Sequence, residues 1–320
     1  MATFPFSDEG SDETEELIKK MERRLNKQYS AADDEMRKKL DKFLKEYEEE
    51  KEKKLKQLKA GTITQRQFDD WAKAQAQSRK WLTEMVNTLS DDYVTTNAKA
   101  MSIVRGFMPD AYAINRNYAA FQVESGSWLD TSFTLYDAHT VEALVKDQPN
   151  LLPKPKPDIP KDKRWHKQKI TNAVTQGILQ GESIPDIAKR LQAVTDMDRK
   201  AAIRNARTAT TGAQNAGRID SYKDAEKLGI KLKQEWLATL DGRTRDSHRM
   251  IDGERVEVGK RFSNGCRYPG DPQARPEEIY NCRCTLVAAI ENIDQSNAPR
   301  NSKLGEMSYG DWKRGHRKSR

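Results

Sequence analysis

The residues best suited to chemistry lie between positions 236 and 284. One imidazole and three thiols occur there, on His248, Cys266, Cys282 and Cys284. Nitrogen and thiolate sulfur are donors that Zn²⁺ prefers, and four of them can close a tetrahedral site. Such a site would stiffen a loop rich in glycine and proline. The Cys-x-Cys spacing and the long separation of His248 from the cysteines are less usual for zinc.

Two alternatives to zinc stay open. His248, Cys282 and Cys284 can simply pack or hydrogen-bond within a small domain, or a cysteine and the histidine can form a nucleophilic pair. No local signature of a cysteine enzyme accompanies them. The chain also has no phosphate-binding glycine loop, nucleophile elbow or HExxH helix. We therefore predict a protein that is not an enzyme, with zinc as the only cofactor to consider.

The same region is rich in charged side chains. Arg243, Arg245 and Arg249 lie close in sequence to Asp241 and Asp246. Ion pairs among these residues are the simplest expectation, since such pairs orient a hairpin more often than they bind a ligand. Asp241 precedes a glycine, which favours a role in forming a turn over a role as an acid catalyst.

Alternating and turn-forming residues predict the elements that hold this region. Asp241-Gly242 and Asp252-Gly253 are hairpin turn signals, and residues 259–280 form a loop rich in glycine and proline. We expect a small domain rich in β-hairpins, with strands at 231–240, 255–258 and 285–290.

The N-terminal part is predicted to be helical. A 3.6-residue apolar period runs through 14–58, and Thr64 with Gln67 has the form of a capping box for a helix that ends near residue 89. Ser90 and Thr140 resemble N-caps of helices that reach residues 104 and 145. The aromatic-rich segment 105–136 shows no clear period.

Four prolines within residues 151–160 mark a stiff boundary. Beyond it, helices are predicted at 162–180, 183–194 and 197–228. The fold class is α+β, a mainly helical N-terminal region followed by a helical segment and a small hairpin-rich domain. The predicted ranges are a helical region 1–150, a linker 151–161, a domain 162–292 and a basic, disordered tail 293–320.

The charge balance points to a polyanion or to an ordinary basic surface. The chain has 57 Lys and Arg against 49 Asp and Glu, a net charge of +8. Residues 161–236 hold 16 basic and 9 acidic side chains, and residues 300–320 hold 7 and 2. Nucleic acid is the commonest polyanion. The candidate DNA contacts are Arg199, Arg204, Arg207, Arg218, Arg314, Arg317 and Lys318.

Composition excludes several classes of protein. Hydrophobic residues make up 36% of the chain, and no run approaches the 18 apolar residues of a membrane span. The N-terminus is acidic and lacks the apolar segment of a secretory signal. Three cysteines in 320 residues do not form a disulfide framework. These features predict a soluble protein made in a reducing cytoplasm, with no membrane partner.

One order of residues resembles a known family. An arginine-bearing helix with Arg207 is followed by a W-x(4)-D-x-R-T-R-x-x-H motif, an Asp-Gly turn, a proline-rich loop and Asn-Cys-Arg-Cys. This order resembles the phage head morphogenesis family, the minor head proteins similar to protein F of phage Mu, over residues 165–290. The matching motif residues are Arg207, Trp236, Asp241, Arg243, Arg245, His248, Asp252, Gly253, Asn281, Cys282 and Cys284.

The resemblance implies a structural role in virion assembly. Expected partners are the portal protein, the major capsid or scaffolding protein and double-stranded DNA, with the protein made in the host cytoplasm and placed inside the phage head. Ala209 stands where family members commonly have an acidic residue. The motif also occurs fused to toxin or transferase modules, so an enzymatic effector that uses His248, Cys282 and Cys284 is the alternative. A free-standing DNA-binding protein ranks last, since no helix-turn-helix or zinc-finger spacing is evident.

Overall fold

The structure is a computed structural model that describes residues 8–77, 79–131, 133–148, 150–152 and 159–318. Helices dominate it, and a small antiparallel sheet lies in the C-terminal part, so the predicted α+β class is confirmed. The elements are α1 Glu9–Lys59, α2 Gln65–Gln77, α3 Arg79–Ser127, α4 Ala138–Asp147, α5 Ile159–Leu179, α6 Ile184–Lys227, β1 Lys231–Leu237, α7 Asp246–Met250, β2 Arg255–Glu257, α8 Pro276–Ile279, β3 Thr285–Asn292, a 3₁₀ turn Ser302–Glu306 and α9 Tyr309–Lys318.

The first helix confirms the apolar period of the N-terminal sequence. Helix α1 extends the predicted 14–58 by a few residues at its start. Acidic residues lie in its first turn and lysines in its last, which suits the helix dipole. The helix ends before Gly61, whose φ of 73° lies in the left-handed region that glycine adopts without strain.

The capping box at Thr64 is also confirmed. The Thr64 amide donates to Gln67 Oε1 at 2.8 Å, and the Gln67 amide donates to Thr64 Oγ1 at 3.2 Å. The predicted helix start at Ser90 is wrong, because α3 runs through it without a break. The Ser90 hydroxyl instead donates to the carbonyl oxygen of Lys163 at 3.2 Å, which removes it from any capping role.

Two further helix boundaries differ from the predictions. Asp137 caps α4, because its carboxylate accepts the amide of Thr140 at 2.8 Å, and the predicted cap is therefore the third residue of the helix. The predicted helices 183–194 and 197–228 form one helix, α6. The two residues between them, Thr195 and Asp196, are only moderate helix formers, but neither is a glycine or a proline, and the helix continues through them.

The sheet has the order β2-β1-β3, and both pairings are antiparallel. Neither predicted tight hairpin forms. Helix α7 lies in the connection between β1 and β2 and ends at Met250. Gly253, with φ of 78°, turns the chain back so that its amide donates to the carbonyl of Trp236 at 2.8 Å. The strand order places β1 at the centre of the sheet.

The chain divides into two compact units, each discontinuous in sequence. One unit comprises residues 1–22, 104–155 and 204–320, and the other comprises 23–103 and 156–203. Neither unit coincides with a predicted range. Most of the predicted linker 151–161 lies outside the described residues, namely 153–158.

The core of the first unit surrounds β1. Trp236, on β1, is fully buried and packs edge-on against Phe262, with 5.1 Å between ring centroids. Tyr222 of α6 and Leu286 of β3 are also fully buried in this core. This unit holds the whole sheet and therefore the candidate site.

The core of the second unit is built from helices. Leu40, Leu44, Leu89 and Ile170 are buried in it. The Tyr93 hydroxyl, also buried, donates to the carbonyl oxygen of Leu191 at 3.0 Å.

The predicted disordered tail is folded in the structure. Trp312 of α9 is 1% exposed, and its indole nitrogen donates to Glu124 Oε2 at 2.6 Å. Tyr309 is buried beside it. The polar composition of the tail suggested disorder, but two aromatic residues one turn apart supply enough apolar surface to anchor a ten-residue helix. Among the described residues, no helix is both long and apolar enough to cross a bilayer.

Candidate functional site

His248 occupies the one-turn helix α7 and is 1% exposed. Its Nε2 lies 3.0 Å from Oε2 of Glu278, which belongs to the short helix α8 and is also buried. The carboxylate accepts a hydrogen bond from Nε2–H, so the Nδ1 atom lies on the opposite side of the ring. The ring packs edge-on against Trp236, with 5.0 Å between centroids.

The two cysteines of the Asn-Cys-Arg-Cys segment meet this Nδ1 atom. The Sγ atom of Cys282 lies 3.6 Å from Nδ1 of His248, and that of Cys284 lies 3.4 Å from it. Asn281 has φ of 55°, a conformation that asparagine tolerates better than most residues. The chain then extends into β3, and side chains two residues apart in an extended segment point to the same face.

The cysteines have unequal acidities. A hydrogen bond from Cys282, reinforced by one from His248, lowers the pKa of the Cys284 thiol to about 5 although burial opposes ionisation. The same contact with Cys284, together with burial, raises the pKa of Cys282 well above its usual value. The site therefore favours one thiolate beside one thiol when no cation is bound.

Cys266, the fourth predicted ligand, lies outside this group. Among the described residues, the donor atoms that come within 4.8 Å of one another belong to His248, Cys282 and Cys284. Cys266 is fully buried in the apolar core around Trp236, and burial raises the pKa of its thiol to about 12. The structure therefore brings three of the four predicted ligand residues together and places Cys266 elsewhere.

The charged residues of the motif shape the loop after β1. Asp241 Oδ1 accepts the side chain of Arg283 at 2.7 Å and the amide of Arg243 at 2.9 Å. The Arg283 hydrogen bond holds the pKa of the Asp241 carboxyl far below its ordinary value. The guanidinium of Arg249 donates to the Asp241 carbonyl at 2.7 Å, and that of Arg245 donates to the carbonyl of Tyr280. These contacts agree with a turn-forming Asp241.

Asp252 closes the same loop from the other side. Its Oδ1 accepts the amide of Ala238 at 2.8 Å, directly after β1. With Gly253 bound to Trp236, this bond joins the end of α7 to the end of the strand. Asp241 and Asp252 of the motif thus hold the backbone of the loops around the His-Cys group through hydrogen bonds.

Among the predicted DNA contacts, Arg218 is buried. Its side chain is 0% exposed, and it donates to Asp8 Oδ1 at 2.7 Å and to the carbonyl of Leu286 at 2.8 Å. A guanidinium enclosed in this way cannot reach a phosphate, so Arg218 is removed from the DNA set. Arg207 is half-buried and donates to Glu22 at 2.7 Å.

The remaining candidate DNA contacts are more accessible. Arg204 is exposed, and its guanidinium carbon lies 5.7 Å from the centroid of the Tyr280 ring. The side chain of Arg199 pairs with Asp196, and that of Arg314, 70% exposed, pairs with Asp311. The side chains of Arg317 and Lys318 lie outside the described residues.

Sequence reasoning missed Glu278. It lies 30 residues from His248 in an unremarkable Pro-Glu-Glu sequence, next to the exposed Glu277. No spacing rule separates the two glutamates. A buried partner for the second histidine nitrogen could have been anticipated in general terms, but its identity required the packing of α8.

The part of the chain that contains this site matches a known protein family. Residues 168–287 match the model of the family described as Phage Mu protein F like protein, so the family resemblance predicted from the sequence is confirmed, and this segment carries the whole His-Cys group.

Relatives extend the comparison beyond that segment. The chain is 25% identical over 279 residues to minor head protein GP7 of Bacillus phage SPP1, an alignment that covers 86% of this chain and 84% of that protein. It is 32% identical over 151 residues to NAD(+)--arginine ADP-ribosyltransferase EFV of Enterococcus faecalis, which covers 45% of this chain. The chain spans only 31% of the length of that transferase. An uncharacterized protein of Haemophilus influenzae is 27% identical over 235 residues. No solved structure matches the chain.

Proposed function

We propose that the chain acts as a minor head protein of a tailed phage or prophage, in head morphogenesis. The observation that carries this proposal is the extent of the alignment with minor head protein GP7, which covers more than four-fifths of both chains. An alignment of that length includes much of the helical N-terminal part besides the family region. A shared catalytic or binding module grafted onto unrelated chains would match over a shorter segment.

The proposed partners are the portal protein and the major capsid or scaffolding protein. Met21 and Leu25, on the apolar stripe of α1, are 0% exposed to solvent, so the stripe is already buried within the chain. A partner would therefore meet the opposite face of α1, which is dense in lysine and glutamate. Contacts between such a charged face and a partner are ionic, so they weaken as the salt concentration rises and they fix how the two surfaces align.

Mass spectrometry of purified virions tests the structural role. The expected result is that the chain is present inside heads in a fixed, low ratio to the portal protein, and that deletion of its gene lowers the yield of complete heads. Absence of the chain from purified virions, together with normal head yield after deletion, would overturn the proposal.

Contact with packaged DNA is the second part of the proposal. The exposed Arg204 and Arg314, with the net charge of +8, favour weak binding that does not depend on sequence. Each neutralised phosphate adds about 0.9 to the slope of log affinity against log salt concentration. Binding to a DNA duplex is expected at low salt and to fade at moderate salt. The double variant R204A/R314A should bind less, whereas R243A, which removes an exposed arginine outside the set, should bind like the parent. No binding at low salt contradicts this part.

The partial match to an ADP-ribosyltransferase is the observation behind the alternative, an enzymatic effector. The activity in that protein's name stays with that protein, since two-thirds of its length has no counterpart in this chain. We expect purified chain to leave NAD⁺ and arginine-containing acceptors unchanged. Turnover that is abolished in a soluble, folded His248→Ala variant would establish the enzyme instead.

A further inference from the structure

The strongest unassigned feature is the set of donor atoms at His248, Cys282 and Cys284. We infer that these residues bind one Zn²⁺ ion through Nδ1 of the histidine and the Sγ atoms of both cysteines. This site does not depend on the proposed function, since it would stabilise the C-terminal domain whatever the chain assembles with.

The distances suit a tetrahedral metal. With Zn–S bonds of about 2.3 Å and Zn–N bonds of about 2.0–2.1 Å, tetrahedral angles separate a nitrogen and a sulfur ligand by about 3.5 Å. The observed Nδ1–Sγ distances are 3.6 Å for Cys282 and 3.4 Å for Cys284. Both nitrogen–sulfur distances therefore match those of a tetrahedral zinc site, and all three donor atoms lie within 4.8 Å of one another.

Both sulfur atoms approach the same nitrogen atom. Nδ1 of His248 lies 3.6 Å from Sγ of Cys282 and 3.4 Å from Sγ of Cys284, and a neutral imidazole offers a metal ion one lone pair at that atom. A cation between the three atoms uses the lone pair and both thiolates together.

Glu278 supplies the support that metal-binding histidines usually have. A histidine ligand commonly donates its second nitrogen to a carboxylate, which fixes the ring and increases its basicity. Here the carboxylate of Glu278 lies 3.0 Å from Nε2 of His248, and it also accepts the Ser247 hydroxyl at 3.0 Å. The carboxylate is thus held in place by a second donor.

Charge also favours a divalent ion in this buried place. Two thiolates and Zn²⁺ sum to zero, so the bound centre carries no net charge at side chains that are 1–3% exposed. Three protein ligands leave a fourth position for a water molecule or another small donor. Soft thiolate ligands favour zinc over magnesium or calcium, which prefer oxygen.

A bound zinc ion would link segments that are separate in the chain. Helix α7 provides the histidine, the segment before β3 provides both cysteines, and α8 provides the supporting carboxylate. The two helices have only five and four residues, and the three segments are separated along the chain. Metal binding would therefore contribute directly to the stability of this domain.

Elemental analysis and Co²⁺ substitution test the site in the full-length chain under reducing conditions. Purified protein is expected to hold about one zinc per chain, and Co²⁺ added to chelator-treated protein should give the intense visible absorption of tetrahedral cobalt with a thiolate charge-transfer band. The variants C282A, C284A and H248A should lose the metal and this spectrum. C266A, which removes a buried thiol outside the group, should keep both and serves as the matched control.

A pair of glutamate variants separates ligand support from general damage. E278Q should bind one zinc with an affinity lower by about 10–100-fold, as expected when the carboxylate partner of a ligand histidine is lost. E277Q changes the exposed neighbour in the same helix and should match the parent. This comparison remains informative even where a cysteine variant fails to fold.

Several results would overturn the inference. Chelator-treated parent protein that remains folded yet takes up neither Zn²⁺ nor Co²⁺ rules the site out. Equal loss of metal in C266A and C284A makes the ligand set wrong. A cobalt spectrum of octahedral type without a thiolate band would place the ion elsewhere on the chain.

Discussion

Replacement of Arg218 by methionine should destabilise the first unit severely. The guanidinium is fully buried and donates to Asp8 at 2.7 Å, to Asn115 Oδ1 at 3.0 Å and to the carbonyl of Leu286 at 2.8 Å. Methionine preserves most of the apolar stem but has no donor. All three acceptors lose the guanidinium as a donor, and Asn115 and Leu286 are both 0% exposed, which leaves little room for water to replace the arginine.

The magnitude follows from the burial of the partners. Removal of one member of a buried ion pair costs about 3–5 kcal/mol, because the other charge stays behind unpaired. The Asp8 side chain is 20% exposed and can regain some hydration, which places the expected loss near the lower end, about 3 kcal/mol. Since 1.4 kcal/mol corresponds to a factor of ten, amides of β3 should exchange with solvent more than 100-fold faster where exchange requires unfolding of the unit.

Hydrogen exchange followed by mass spectrometry is the appropriate assay, because it reports on peptides from each unit separately. Peptides from β1 and β3 should lose protection in R218M, and R314M, which breaks an exposed pair with Asp311, should behave like the parent. Protection in R218M within threefold of the parent would refute the claim that this arginine is a structural residue, and it would restore Arg218 as a candidate DNA contact.

The same pair gives a pH dependence with a definite sign. Burial disfavours the charged form of Asp8, but the Arg218 guanidinium outweighs it and holds the pKa of this carboxyl below its ordinary 3.8. A depressed folded-state pKa stabilises the fold above the ordinary pKa and loses that contribution as the pH falls below it. The difference in stability between the parent and R218M should therefore shrink on acidification through pH 3.8. A difference that grows on acidification contradicts this assignment.

Three further predictions have clear expected outcomes, the first with a control variant. G217A should destabilise the fold by about 1–3 kcal/mol, because a β-carbon there would lie 2.4 Å from the carbonyl oxygen of Tyr112. The control G106A, in open space on a helix, should be neutral or stabilising by about 0.5–1 kcal/mol, and urea unfolding measures both variants. Trp312→Ala should cost about 3–5 kcal/mol and release α9, seen as faster amide exchange confined at first to residues 309–318; unchanged exchange would mean that the helix is not anchored by this ring. T64A should lower the protection of the first turn of α2 by the equivalent of about 0.5–2 kcal/mol, and equal protection in parent and variant would show that the capping box contributes nothing.

Much of the helical architecture could be predicted because its signals are local. The capping pair Thr64 and Gln67, three residues apart, forms as expected, and α1 covers the predicted range 14–58. Such features depend on neighbours within one or two turns, whose geometry is fixed once the segment is helical. The predictions at Ser90 and Thr140 were wrong because a residue type that is common at caps does not by itself make a cap. The Ser90 hydroxyl bonds to a residue distant in sequence, and Asp137 caps the helix that contains Thr140.

The candidate site was predicted in part. The sequence brought His248, Cys282 and Cys284 to attention through their chemistry, and the structure places their donor atoms within 4.8 Å. Cys266 has the same thiol group but is buried in the apolar core instead. Glu278 carried no signal, because a glutamate beside another glutamate is ordinary in any solvated helix. Which thiol faces the histidine is decided by packing around Trp236, not by residue type.

The amino-acid order alone determined the α+β class, the family resemblance and the charge of the chain, since these follow from composition, local periodicity and motif order. Tertiary structure decided which of those residues are exposed to a partner and which are buried against other residues of the chain. Arg218 and Asp8 are 210 positions apart in the chain, and His248 and Glu278 are 30 apart. Whether an arginine meets a phosphate or a buried carboxylate depends on contacts at such separations, which are fixed only when apolar faces from distant segments pack together and exclude water.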